Sequence, residues 1–75
     1  MAYELRLTKE QKKRFVMVAK SRLKERGMYY SDLANAINYS CGSVKEFLSD
    51  KSEKTNRFIA AQIADELEIK AKDYR

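Results

Sequence analysis

Between Ser31 and Leu48 the apolar positions fall at Leu33, Ala34 and Ile37 and then, after a polar break, at Val44, Phe47 and Leu48. Each group keeps the three-and-four spacing of a helix that buries one side, which predicts two short helices flanking Asn38, Tyr39 and Ser40. Ser31 and Ser40 stand before the two runs, where a hydroxyl can accept from an otherwise unpaired first-turn amide. Asn38 stands where the first helix must stop, and its short polar side chain tolerates the left-handed backbone that otherwise calls for glycine. Ala34 is small where the two helices would cross, so they can approach closely. The stretch reads as a helix-turn-helix over residues 31–49.

The pattern continues on both sides. Thr8 opens a helix over 8–26, with Gln11 three residues on as the reciprocal partner of a capping box and Gly27 as its left-handed stop. The core stripe of that helix is Phe15, Val16, Ala19 and Leu23, and Met17 and Val18 fall off it as a small partner-binding patch or scattered exposed groups. A further helix over 55–69, capped by Thr55 or Asn56, places Ile59, Ala60, Ile63, Ala64 and Leu67 on one face, with Phe58 closing the bundle's end. Met1 to Leu7 alternates Tyr3, Leu5 and Leu7 with Glu4 and Arg6, the period of a short strand, and is equally readable as a loose arm. Residues 70–75 form a tail with room for one more turn. The expectation is an all-α single domain of four helices, with room for a fifth short turn and a short N-terminal arm or strand.

Leu33-Ala34, Ile37, the turn Asn38-Tyr39-Ser40, Val44 and Phe47 resemble the pattern of the phage repressor and Cro-like helix-turn-helix family. With the flanking helices the likeness covers roughly residues 8–69; the bland alternative is a small helical bundle with a Ser-capped turn. The resemblance implies a lambda-repressor-like domain whose helix 41–49 reads DNA in the major groove. It also implies that a polar residue near the corner before the second helix holds a phosphate, a position where this chain offers Tyr30 or Ser31, and that the segment after the reading helix touches the DNA backbone. In larger relatives a further helix helps dimerisation; homodimerisation by that route is not indicated here.

Composition narrows the function. The chain has 75 residues, no Pro, two Gly, one Cys and no His. A single thiol and no imidazole leave neither a soft metal-ligand set nor a Ser-His or Cys-His nucleophile pair, so no cofactor, metal or enzymatic role is expected. Cys41 cannot form an internal disulfide, and no apolar run suits a signal peptide or a membrane span, so the expected setting is the cytoplasm. Nor does any small-molecule ligand suggest itself.

The net charge of +5 favours polyanions, and its location matters more than its total. Nine basic residues against three acidic ones lie before Gly27; from there on, seven basic residues meet eight acidic ones. On a wheel of about 100° per residue, Lys9, Lys13, Lys20 and Lys24 fall within about 60° of one another, a lysine ridge displaced from the core stripe. It is either a solvated face or a phosphate track.

With Val44, Phe47 and Leu48 inward, helix 41–49 turns Cys41, Gly42, Ser43, Lys45, Glu46 and Ser49 outward, toward a groove or a protein. Base reading favours Arg or Lys on guanine and Asn or Gln on adenine, and only Lys45 fits well; Glu46 could accept from cytosine but repels phosphates. Gly42 permits a close backbone approach. Phosphate contacts are expected from Tyr30, Ser31, Ser40, Lys51, Lys54, Asn56 and Arg57, although the loop cations could simply solubilise the chain. Tyr29 and Tyr30 should cover the core edge with wet hydroxyls. Three functions stay open: a small phage-type or mobile-element regulator of transcription on double-stranded DNA, an antirepressor using the same fold to bind a repressor protein, and a nonspecific nucleic-acid binder using the ridge.

Overall fold

A computed structural model describes residues 4–49 and 56–75. Among them are five helices: α1 (Lys9–Arg26), α2 (Tyr30–Ile37), α3 (Cys41–Phe47), α4 (Arg57–Leu67) and α5 (Ala71–Tyr74). The protein is all-α among the described residues, with α2 packed on α3 and α4, and α1 on α4 and α5.

Local chemistry sets most of the boundaries. Thr8 Oγ1 accepts from the Gln11 amide at 3.1 Å while Gln11 Oε1 accepts from the Thr8 amide at 3.0 Å, so two orphan donors are satisfied reciprocally. Helices α1, α2 and α4 close in one way, on a left-handed residue followed by a six-to-one hydrogen bond. Gly27 (φ 65°), Asn38 (φ 60°) and Glu68 (φ 55°) supply the turn. The amides of Met28, Tyr39 and Ile69 then donate to Leu23, Ala34 and Ala64 at 2.9, 3.0 and 2.8 Å. Two of these stops use residues that pay for a left-handed backbone, Asn lightly and Glu more.

Ser31 is not a cap. The second helix begins earlier, at Tyr30, and the Asp32 carboxylate accepts from the Tyr29 amide at 2.9 Å, which leaves Ser31 exposed within the first turn. Helix α3 ends at Phe47 rather than Ser49, because the Ser49 amide reaches back only three residues, to the Glu46 carbonyl at 3.2 Å. Asn56 caps α4, its Oδ1 accepting from Phe58 and Ile59 at 3.0 and 3.2 Å. Thr55 lies outside the described residues, and α4 stops at Leu67, short of 69.

The core joins every helix: Phe15, Val16, Ala19 and Leu23 from α1, Leu33, Ala34 and Ile37 from α2, Val44, Phe47 and Leu48 from α3 and its end, and Ile59, Ala60, Ile63 and Leu67 from α4. Tyr74 of α5 completes it, its ring 5.6 Å from Phe15, which sits 6.0 Å from Phe47, both edge to face. The tail is thus a working part of the core. Residues 4–7 form no strand: Leu7 is buried and the Leu5 amide donates to the Arg57 carbonyl at 2.9 Å, so the segment is an arm tied to the start of α4. Tyr3 lies outside the described residues. Val18 packs against the core edge instead of forming a patch, whereas Met17 is 71% exposed. Phe58 does not close the bundle; it is 45% exposed, with the Arg57 guanidinium 5.0 Å above its ring.

Candidate nucleic-acid or partner interface

The outer face of α3 is built from its anchoring. Val44, Phe47 and Leu48 are buried to 3% exposure or less, which fixes the helix's rotation and turns Gly42, Lys45 and Glu46 to solvent. A bulkier residue would fit at Gly42, since a Cβ there meets nothing within 4 Å. At the start of α3, Ser40 Oγ accepts from the Ser43 amide at 3.2 Å and donates to Ser43 Oγ at 2.8 Å, so this hydroxyl pair is engaged in capping.

Three of the outward assignments change. Cys41 is half-buried and packs against the core, because the first turn of α3 rests on the body of the domain. Ser43 and Ser49 are also half-buried, which leaves Gly42, Lys45 and Glu46 as the exposed members of the set. Ser43, Glu46, Phe47, Asn56 and Ile59 line a shallow cavity of about 220 Å³, so the cap of α4 adjoins the outer face of α3.

The described members of the phosphate set differ in exposure and engagement. Ser31 and Asn56 are exposed, but Tyr30 packs against the core, and Tyr29 is the more open of the pair at 78%. Arg57 Nε lies 3.4 Å from Glu4 Oε1, while the other carboxylate oxygen, Oε2, lies 3.8 Å from Arg6. Lys51 and Lys54 lie outside the described residues.

The long basic helix divides its charge among different tasks. Arg22 donates to the carbonyls of Leu67 and Glu68 at 3.2 and 3.5 Å and pairs with Asp73 at 3.4 Å. Arg26 donates to the Glu66 carbonyl at 3.1 Å and lies 3.7 Å from the Glu68 carboxylate. These cations meet the bare carbonyls and negative dipole end of α4. Lys12 is 4% exposed, its ammonium 5.0 Å over the Phe47 ring. Burial pushes its pKa below the ordinary value, and the nearby Glu46 carboxylate opposes that shift. Neither the arginine clamp nor the buried lysine is marked in the sequence, although Lys12 falls on the wheel between Ala19 and Leu23. The ridge itself stays outward: Lys9, Lys13 and Lys24 are exposed and Lys20 half-buried.

Among the described residues no helix is long and apolar enough to cross a membrane, and no cluster of His, Cys, Asp or Glu could hold a metal ion. No protein-family model, curated protein or solved structure matches the chain.

Proposed function

We propose that the chain is a small DNA-binding regulator of transcription, of phage or mobile-element type, that lays α3 in a major groove. The supporting observation is the two-sidedness of α3: one side locked into the core, the other offering Gly42, Lys45 and Glu46 on a helix held by the Asn38 turn and the Ser40 cap. Lys45 is the guanine-reading candidate and Glu46 an acceptor for cytosine. Ser31, at the amino-terminal turn of α2, and Asn56, at the cap of α4, would position the backbone, with Lys51, Lys54 and Arg57 nearby in sequence. The fold acts as a reader, not as a catalyst.

Fluorescence anisotropy on fragments surrounding its own gene, against an excess of random competitor, tests this. Selective binding should weaken by roughly 1 to 3 kcal/mol at one base pair on Lys45→Ala. No selectivity for any fragment would reject the reading.

One observation favours a second function, docking onto a repressor protein and blocking it. Arg57 pairs with Glu4, Arg22 and Arg26 hold the end of α4, and α3 exposes a single lysine beside Glu46, whose carboxylate suits a basic protein surface better than a phosphate row. Glu46→Lys separates the two: it should strengthen DNA binding and abolish docking onto a basic partner surface.

A further inference from the structure

Helix α1 holds eight basic residues against two acidic ones, a net of +6 where the whole chain has +5. The rest of the protein is therefore close to neutral, and the field that attracts a polyanion comes from one helix. Of the eight, Arg22 and Arg26 meet the end of α4, and Lys12 lies beneath the surface over Phe47. Four of the remaining five are the ridge lysines.

The ridge is two pairs. Lys9 and Lys13, and Lys20 and Lys24, are each four residues apart, about 6 Å along the axis at 1.5 Å per residue. The pair centres are eleven residues apart, about 16 Å. On the wheel Glu10 falls about 40° outside the ridge and Glu25 about 100°, so neither interrupts it. A major groove is about 12 Å wide and bordered by a phosphate row on each side, and flexible lysine stems at this spacing can reach both rows.

We propose that the outer face of α1 is a second, sequence-independent duplex-binding surface, separate from α3, with its two lysine pairs set on the two phosphate borders of one major groove. Lysines act here as point charges, which supply affinity without reading bases. A lipid surface is a poorer match, because a helix lying on a membrane must insert an apolar face. The apolar face of α1 is in the core, and Met17 is the large apolar side chain that stands out beside the ridge. This surface does not depend on what α3 binds.

The test is anisotropy binding of the full chain to a random-sequence duplex of about 20 base pairs, and to a single strand of equal length, across a salt series. Lys13→Gln with Lys24→Gln changes two exposed positions to a residue of similar helix propensity, and circular dichroism checks that the helix persists. The double variant should bind the duplex at least tenfold more weakly at low salt, with a salt slope reduced by about 2, near 0.9 per phosphate contact. Glu10→Gln should tighten binding, and the duplex should be preferred to the single strand. Unchanged affinity and slope in the double variant, equal binding to both nucleic acids, or binding to phosphatidylserine vesicles without binding to duplex would each overturn the proposal. Loss of fragment selectivity on Lys45→Ala reports on α3 alone, so the two surfaces can fail separately.

Discussion

Tyr74 sits in a four-residue helix, yet it is only 8% exposed and its ring lies 5.6 Å from that of Phe15 at an interplanar angle of 65°. Truncating a buried aromatic to alanine costs about 3 to 5 kcal/mol when the surroundings cannot collapse. A short terminal helix can fray instead of enclosing a void, so Tyr74→Ala should cost about 3 kcal/mol, at the low end. A 75-residue domain has about 4 to 11 kcal/mol of stability in total, so this one ring would account for about a quarter of it or more. At about 4 to 8 °C per kcal/mol for a domain of this size, the midpoint should fall by at least about 12 °C. Urea and thermal unfolding followed by far-ultraviolet circular dichroism would measure this, with Tyr74→Phe, which keeps the ring, staying within about 1 kcal/mol of the parent. A loss below about 1 kcal/mol for Tyr74→Ala would refute the assignment of the tail to the core.

Lys12 makes stability depend on alkaline pH. Its folded pKa is pushed by burial below the ordinary 10.5, so between that lowered value and 10.5 the unfolded chain binds more protons than the folded one. The parent should therefore gain stability relative to Lys12→Met as pH rises through this window, and a difference in urea midpoint that stays flat with pH would count against it. Glu68→Gly should raise stability by up to about 1 kcal/mol, since relief of a left-handed backbone at φ 55° outweighs an exposed pair with Arg26. A lower urea midpoint in that variant would mean that the pair outweighs the strain.

Features governed by near neighbours in the chain could be read directly. The Thr8–Gln11 box, the Gly27 and Asn38 stops, the Ser40 and Asn56 caps and the inward set Val44, Phe47 and Leu48 depend on spacing and local hydrogen bonding. The start of α2 was less legible, because Asp32 accepts from an amide three residues back and displaces Ser31 from that role. Distant partners were invisible: nothing local indicates that Arg22 and Arg26 reach the carbonyls of α4, or that Tyr74 meets Phe15. Lys12 is a different case. Its angle already placed it in the core stripe, and its charge argued against burial, but a cation can be buried when an aromatic face and a carboxylate lie beside it. For the α3 face the exposure of Gly42, Lys45 and Glu46 follows from periodicity, while the inward seat of Cys41 required knowing how the first turn of α3 lies on the body.

Helices α2 and α3 are eight and seven residues long, well under the roughly 12 to 15 that an isolated helix needs to be even marginal in water. A peptide cut from residues 30–49 would therefore be mostly coil, and grafting it onto another scaffold would transfer the letters without the shape. Conversely, Gly42 and Lys45 are exposed, so they can be rewritten while the frame of α1, α4 and α5 continues to hold the backbone in place, whereas Glu46 also faces the buried Lys12. The same frame could thus display many different recognition faces, with partner choice changing by substitution at a few positions and stability remaining nearly constant.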